Sequence, residues 1–596
     1  MPSTGQRLWV GHAAVAVLCV ALVALIGKLA YIQVRLRPSL LEWAQRRQTS
    51  TITLPGSRGK ILDRRQRVLV GSHDQLTVFA DPLLVTEKAD TARALAGILG
   101  LTARDILARL ERNPNSRYVV LKRGVSPEEA RAIDRLDNCP GIGLVNEPAR
   151  VYAMGTLAAH VVGFVGLDDD GRLGRGLAGI ELACQEVLKD SPGRRVVFWD
   201  AKRQKAMFQD AGAYVEPRDG LDVILTIDAA IQEIVERELA NALAKFKAQA
   251  TMCVVMSPKT GEVLAMAVAP TFDPAEPGRF PPERWRNRLL TDPVEPGSVF
   301  KPFILAGALQ AGLTRPSEVI YCNMGLYVIG RRQLSDHHPY GNLSVEQIIT
   351  KSSNIGMAKI GERMGNRRMY ETLVSLGFGR PTGIDLPGED RGLLMPLRRW
   401  NSYTTSSVPM GQEVAQTPIQ LITAFCALVN GGRLPKPYVV AGVVDRAGNV
   451  VEDRRPREEF PQVITPEAAE TIKQILIKTV NEGTGRPAAL EHWQVMGKTG
   501  TAQVPWSPEA RRAGQRKGYE PDAYLGSFMA AAPGDDPQIA VLFMVRKPQR
   551  SIGYYGGTVA APSVKVIMQE VLTYLNVPHE RTKPTEQTTH LVDLRD

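Results

Sequence analysis

Cysteine is scarce and scattered. The six cysteines (Cys19, Cys139, Cys184, Cys253, Cys322 and Cys426) form no C-x-x-C pair and no His/Cys cluster at metal-ligand spacing, which argues against a zinc site or a disulfide framework. The eight histidines include no H-E-x-x-H. The adjacent His337 and His338 would point in different directions on any regular element, so no metal is read and no cofactor is expected. Positive charge is in excess, with a net charge of +11, yet no compact basic run interleaved with aromatics occurs. Nucleic acid is therefore not an expected partner, and the excess reads as a solvated surface. Nor is the chain poor in apolar residues: 44% are hydrophobic and 6% aromatic, ordinary for a chain that folds. Its 596 residues exceed one core and predict two or three domains.

Formal charge is absent from Leu8 to Gly27, "LWVGHAAVAVLCVALVALIG", a stretch of about twenty residues that suits a bilayer-spanning helix. No small-x-small site follows it, and Ala14-Val15-Ala16 lies too early within it, so an uncleaved anchor is expected in place of a signal peptide. Leu18 precedes Cys19 where a lipoprotein site needs a small residue, so Cys19 reads as a lipid-facing or packing residue. Arg7 precedes the span, while Lys28, Arg35, Arg37, Arg46 and Arg47 follow it. That balance alone favours a cytoplasmic body, although long domains translocate regardless of such charges.

Beyond the anchor, "PGSRGKILDRRQRVLV" (Pro55 to Val70) predicts a turn between extended segments. Helical patterns follow at Thr86 to Leu99 and Pro127 to Leu136, with a short strand at Tyr118 to Leu121. Near residue 226 the character changes. Asp228 is a plausible N-cap for a helix whose Ile231, Ile234, Val235, Leu239 and Leu243 recur at helical spacing. "MCVVMSPKTGEVLAMAV" then reads as a hairpin turning at Ser257 to Gly261. Near the C-terminus, "YLGSFMAAAPGDDPQIAVLFMVRKP" repeats that logic around Pro533 to Pro537. A first hairpin, a helical middle and late strands predict one sheet built from both ends of a domain, with helices packed on its faces. The polar residues Pro578 to Asp596 are expected to be loose.

Three short patterns carry the chemistry. In Ser298-Val299-Phe300-Lys301, serine and lysine share one face of a helix, within reach of a hydrogen bond. Pro302 has no N–H for the Ser298 carbonyl, so the helix should begin at or just after Ser298, with its hydroxyl at the helix N-terminus. The apolar run Phe303 to Ala311 predicts a buried helix, in which desolvation lowers a lysine pKa and makes it a base. Second, Ser352-Ser353-Asn354 lies between a helix capped by Ser344 with Gln347 and another running from Ile355, a loop that can aim Ser352 and Asn354 into one cleft. Third, Lys498-Thr499-Gly500-Thr501 falls on a strand, where Gly500 would let a substrate backbone approach. Each pattern is weak alone. Ser57 to Lys60 is a second S-x-x-K and Lys259-Thr260-Gly261 a second K-T-G; both fall in turn or extended contexts, where structural roles are expected. Taken alone, Ser298 reads more readily as a helix cap than as a nucleophile.

In their order and contexts the three patterns resemble the penicillin-binding protein and serine β-lactamase superfamily. "RNRLLTDPVEPGSVFKPF", "KSSNIGMAKIG", "GFGRPTGIDLPGE", "PMGQEVAQTPIQL", "LVNGG", "GKTGTAQ" and "YYGGTVAAP" are similar to blocks of class B penicillin-binding proteins, the monofunctional peptidoglycan D,D-transpeptidases. "SRGKILDRRQRVL", "YAMGTLAAHVVGFVG" and "GLAGIELACQEVL" resemble their N-terminal pedestal, closer to the division-specific (septal) branch than to the elongation branch. Nothing similar to a glycosyltransferase domain precedes these blocks, and no repeated modules follow. "RRQRV", "MGTLAAHVVGF" and "ELACQEVL" depart from the commonest wording, which bears on the branch more than on the chemistry.

The resemblance implies an α+β fold, with a mixed pedestal domain and a transpeptidase domain whose antiparallel sheet is flanked by helices. The expected division is a cytoplasmic tail at 1–7, an anchor at 8–27, a linker and pedestal at 28–225, a transpeptidase domain at 226–577 and a polar tail at 578–596. Ser298 would attack the penultimate D-Ala carbonyl of a stem pentapeptide, and β-lactams would acylate the same serine. Lys301 would be the base, Ser352 a proton relay and Asn354 a substrate contact. Lys498, Thr499 and Thr501 would form a carboxylate-recognising wall beside Gly500, and the backbone N–H groups of Ser298 and Thr501 an oxyanion hole. The implied setting is the outer face of a bacterial cytoplasmic membrane, N-terminus in, with a polytopic glycan-polymerising glycosyltransferase and other divisome proteins as partners. Carboxypeptidase activity, an elongation role, a β-lactam sensor or β-lactamase, and a scaffold with an idle site are the alternatives.

Overall fold

The computed structural model describes residues 4–37, 49–54, 56–112, 114, 116, 118–136, 139–167, 173–199, 206–207, 214–506 and 518–580. Internal contacts divide the chain into two units, one of residues 1–57 and 190–219, the other of residues 58–189 and 220–596.

The first unit holds helix α1 (Thr4–Tyr31), continued as a short π-helix to Leu36. The most apolar 18 residues of Trp9–Arg35 have a mean hydropathy of 2.5, and none of them is buried in protein. At 1.5 Å per residue such a helix is about 40 Å long, enough to cross a bilayer, as expected of an anchor. The same unit holds a small antiparallel sheet in which Thr49–Leu54 pairs with Gly193–Trp199, which also pairs with Tyr214–Val215 and Ala206–Met207.

The second unit contains two larger sheets. The seven-stranded one begins with β1 (Ile61–Leu62), β2 (Val68–Ala80), β3 (Val119–Arg123), β4 (Ile142–Tyr152) and β5 (Asp222–Leu225). Within the stretch predicted to turn between extended segments, Asp63–Arg67 does turn between β1 and β2, while Pro55 lies outside the described residues. Val440–Val444 and Val450–Asp453 complete this sheet, with Val440–Val444 antiparallel to β5. A buried carboxylate, Glu181, ties the sheet's root together: it accepts hydrogen bonds from Arg58 Nε and Arg150 Nε, each at 2.6 Å. Lys88–Leu99, Ala103–Arg112 and Pro127–Asp134 pack on the far end around Leu95, Ile106, Leu110 and Leu121.

The five-stranded sheet is antiparallel throughout: β7 (Val263–Ala269), β6 (Ala250–Met256), β10 (Ile539–Arg546), β9 (Tyr519–Ala532) and β8 (Met496–Pro505), in that spatial order. Its two hairpins are those predicted, and the sheet is built from both ends of the domain. Period-two alternation divides it between two cores. Met252, Val254, Leu542 and Met544 face one core, and Cys253, Val255, Val541 and Phe543 the other. The second face is covered by α2 (Ala229–Lys245) and the C-terminal helix Ala561–Tyr574; Asp228 caps α2 through Ala230 N–H at 3.0 Å. The first face is covered by α3 (Lys301–Gln310), α4 (Asn354–Ser375) and α5 (Pro418–Val429). Each fully buried Phe, Leu or Ile contributes roughly 1.5–3 kcal/mol, and α3 buries Phe303, Ile304 and Leu305 completely. That cluster holds α3 in place although it also buries a lysine.

Residues 578–580, the described part of the tail expected to be loose, are instead docked. Trp493 Nε1 donates to the Pro578 carbonyl at 3.0 Å, and Glu580 accepts from Asp535 N–H at 2.9 Å. Residues 581–596 lie outside the described residues.

Candidate active site

Ser298 lies in a 3-10 turn, Gly297–Phe300, that runs into α3. The α-helix proper opens at Lys301, slightly later than expected. Pro302 offers no N–H, and the Ser298 carbonyl accepts the tighter bond from Lys301 N–H instead. Gly297 adopts φ +58°. A Cβ there would lie 2.9 Å from the Thr501 carbonyl, and on the other side a Cβ at Gly411 would lie 2.3 Å from the Gly297 carbonyl. The turn is thereby seated against strand β8. Gly500 has the same function on the strand side: its Cβ would meet Val299 Cγ1 at 2.8 Å and the Pro296 carbonyl at 3.1 Å. The small residue of K-T-G therefore admits the serine turn, where the sequence suggested that it admits substrate.

Lys301 is completely buried. Its Nζ donates to the Ser352 carbonyl at 2.7 Å, Asn354 Oδ1 at 2.8 Å and Ser352 Oγ at 3.2 Å. These bonds occupy all three ammonium donors, and among the described residues no hydrogen bond joins Lys301 to Ser298, contrary to expectation. Burial drives the Lys301 pKa down to about 7, with the Asp336 carboxylate opposing the shift.

Ser352 and Asn354 are presented by the expected interhelix loop. Ser344 and Gln347 form the capping box of Val345–Thr350, and Ser353 caps α4 through Gly356 N–H at 3.0 Å. Ser352 between them takes φ +60°. The loop has a further support that the motifs do not contain. Asp336, at the end of hairpin β-strand Arg332–Ser335, accepts from Ser353 Oγ at 2.7 Å, from Ile355 N–H at 3.2 Å and from Asn354 N–H. Asn354 Nδ2 donates to the Ser335 carbonyl at 3.0 Å, which leaves Oδ1 for Lys301.

Lys498 reaches the same hydroxyl from strand β8. It too is completely buried, and its Nζ lies 3.0 Å from Ser352 Oγ and 3.1 Å from the Thr499 carbonyl. Burial and the neighbouring Lys301 charge push its pKa well below the usual lysine value. Among the described residues neither lysine has a carboxylate within ion-pair distance, and two ammonium groups on one hydroxyl repel. The pair therefore favours fewer than two charges at neutral pH. Along β8, Thr499 Oγ1 is 2.8 Å from Thr484 Oγ1, and Thr501 Oγ1 accepts from Gly556 N–H at 3.2 Å.

The structure thus brings Ser352, Asn354, Lys301 and Lys498 into one hydrogen-bonded cluster, with the Ser298 turn packed against Gly500 and Thr501. Asp336 and Thr484 escaped the sequence: Asp336 lies 18 positions before Asn354, in a polar tract with no periodic pattern. His337 and His338 do diverge, His337 onto the Tyr555 ring at 5.5 Å and His338 onto Tyr340 at 5.8 Å.

A serine turn, two buried lysines sharing a second serine, and an asparagine beneath an antiparallel sheet edge define a serine acyltransferase site. Residues 251–569 match the penicillin binding protein transpeptidase domain, and residues 53–225 the penicillin-binding protein dimerisation domain. Stage V sporulation protein D of Bacillus subtilis is 34% identical over 92% of this chain and 83% of its own length. Peptidoglycan D,D-transpeptidase FtsI of Escherichia coli is 31% identical over 94% of this chain and 92% of its own. Penicillin-binding protein 3 of Mycobacterium tuberculosis, solved in complex with aztreonam, superposes with a TM-score of 0.67 at 28% identity, covering 89% of this chain and 98% of that one. The chain belongs to the class B penicillin-binding proteins, in their septal-type, monofunctional transpeptidase branch.

Proposed function

We propose that this protein is the peptidoglycan D,D-transpeptidase its family membership implies, with Ser298 as nucleophile. Ser298 Oγ attacks the penultimate D-Ala carbonyl of a stem pentapeptide, the terminal D-Ala leaves, and the acyl-enzyme passes its peptide to an acceptor amine, closing a cross-link. β-Lactams acylate the same atom. The observation that carries this reading is the pair of buried lysines converging on Ser352 Oγ with no carboxylate partner among the described residues: a neutral amine held beside a hydroxyl is a base ready to accept a proton. When the donor binds, Lys301 Nζ exchanges one of its present bonds for Ser298 Oγ and takes its proton. Catalytic hydrogen bonds commonly form in this way only in the substrate complex. Ser352, between Lys301 and Lys498, delivers a proton to the departing amine. Asn354 positions the donor, and Lys498, Thr499 and Thr501 favour its terminal carboxylate. The seating of Gly297 on Thr501 favours the N–H groups of Ser298 and Thr501 as the oxyanion hole.

Residues 28–225 then serve as linker and pedestal, 226–577 as the transpeptidase domain and 8–27 as an anchor with the N-terminus inside. The reaction serves septal wall synthesis beside a polytopic glycosyltransferase and other divisome proteins. The test is intact-protein mass spectrometry of the detergent-solubilised chain with benzylpenicillin. A stable adduct on the wild type and none on Ser298→Ala is expected, with loss of cross-linking in cells that carry only the variant. A folded wild type that takes no adduct, or an equal adduct on the variant, overturns the assignment.

A further inference from the structure

A second contact crosses the site. His337 follows Asp336, whose carboxylate holds Ser353, Asn354 and Ile355, so its backbone is fixed to the S-x-N wall. Tyr555 precedes Gly556, whose N–H bonds Thr501 Oγ1. A Cβ at Gly556 would lie 2.1 Å from the Ser527 carbonyl and 2.4 Å from that of Gly500, so the backbone beside Tyr555 is pressed against the K-T-G strand. The two rings meet edge to face, 5.5 Å apart at an interplanar angle of 79°. Among the described residues it is the one ring contact joining the two walls. Tyr555 is 42% exposed; its ring also lies 4.2 Å from that of Tyr554 and its hydroxyl accepts from Tyr554 OH at 2.8 Å, so its open side lies toward solvent while its backbone stays in place.

We propose that His337 and Tyr555 form a bar across the mouth of the cleft, which an acyl donor must part to reach Ser298, so that the pair selects donors by the bulk of the group on their acyl side. The inference rests on Ser298 as the acylated residue. A donor lying between the S-x-N loop and the K-T-G strand has to pass between these rings, because each is rooted in a different wall. The groups facing His337 are the Lys301 ammonium, His338 and Asp336. Partial desolvation and the Lys301 charge, with a smaller contribution from His338, push the imidazole pKa below its ordinary value against Asp336. A neutral imidazole suits an edge-to-face contact, whose strength lies in aromatic geometry.

The test compares the full-length wild type with His337→Ala, Tyr555→Ala, the double variant and His337→Phe, which keeps a ring. The second-order acylation rate is measured with benzylpenicillin and with 6-aminopenicillanic acid, whose acyl side is a bare amine. Loss of one edge-to-face contact predicts acylation by benzylpenicillin about two- to tenfold faster in either alanine variant. The double variant should be no faster than the singles, His337→Phe should stay near the wild type, and 6-aminopenicillanic acid should gain less. Unchanged rates, slower rates, or equal gains with both β-lactams overturn the bar. A readout independent of acylation is the NMR ring-current shift of the His337 Cε1 proton, which should vanish in Tyr555→Ala. An unaltered shift overturns the contact even if no β-lactam reacts, whereas an altered shift on a protein that takes no adduct faults the Ser298 assignment instead.

Discussion

The chain contains the tripeptide Lys-Thr-Gly twice, and the copies have opposite surroundings. Lys498 is fully buried, bonded to a hydroxyl and a carbonyl and set beside a second buried lysine. Lys259 stands on the turn between β6 and β7 with 44% of its side chain exposed, paired with Asp536 at 2.6 Å. The glycines differ as well. Gly500 admits the serine turn, whereas Gly261 takes φ +80° beneath the Lys436 carbonyl, as a tight turn demands. An exposed lysine with a carboxylate remains an ordinary cation, while a buried one without a carboxylate becomes a titratable group near neutrality. The same letters therefore place a titratable amine beside Ser352 in one place and close a turn in the other.

The comparison is broken most severely by Lys498→Ala. Removing a group that bonds Ser352 Oγ and that the proposed function assigns to the proton path should slow acylation by benzylpenicillin about 10²–10⁴-fold, the range for loss of a proton-transfer group, in a stopped-flow or mass-spectrometric assay. A change of less than about tenfold would leave Lys498 outside the proton path.

Asp336→Asn should have the next largest effect. Asp336 is a positioning residue that acts through Asn354 and through the charge it places near Lys301. If Lys301 is the base, acylation rises with pH as Lys301 loses its proton, through about 7, and then levels. Because Asp336 raises the Lys301 pKa, its removal should move that midpoint to lower pH and cut the plateau rate about tenfold, a rough allowance for one lost charge-assisted bond. A merely structural role would lower the plateau and leave the midpoint in place. Lys301 also links pH to stability. Its pKa is depressed on folding, so between about 7 and its unfolded value of about 10.4 the unfolded chain binds more protons, and this lysine makes the fold more stable as pH rises through that window.

Gly500→Ala probes the other copy's glycine logic. The new methyl would lie 2.4 Å from Ser527 Oγ and 2.8 Å from Val299 Cγ1. Such overpacking typically costs about 1–3 kcal/mol, which should lower the melting temperature and displace the Ser298 turn, with slower acylation. Unaltered melting and acylation would mean that the turn is not seated by this glycine.

Local signals made much of this legible. The cap at Asp228, the Ser344–Gln347 capping box and the two hairpins all rest on residues close together in sequence, and each is found where the pattern placed it. Long-range partners were not legible. Asp336 reaches Asn354 through a hairpin that no periodicity announces, and Thr484, just after helix Pro466–Asn481, meets Thr499 15 positions on. Strands Val440–Val444 and Val450–Asp453 join a sheet whose other members lie more than 200 positions earlier, because the pairing with β5 depends on the folded path of the whole intervening chain. The Lys301 donors were assigned to Ser298 on helical spacing, but a neighbouring loop supplies better acceptors.

The smallest effect expected is that of Lys259→Ala, the counterpart of Lys498→Ala at the other copy. Its ion pair with Asp536 is solvent-exposed on both sides, 44% and 67%. Water and salt screen such a pair, and holding two mobile side chains together offsets most of the attraction, so its loss should cost no more than about 1 kcal/mol. Acylation should be unchanged, since among the described residues Lys259 bonds Asp536 and no group of the Ser352 cluster. Thermal unfolding and acylation measured side by side on the two lysine variants would decide the matter. If Lys259→Ala slowed acylation as Lys498→Ala does, burial would not be what separates the two copies; if it moved the melting temperature by a degree or so and nothing else, the difference between them is one of desolvation.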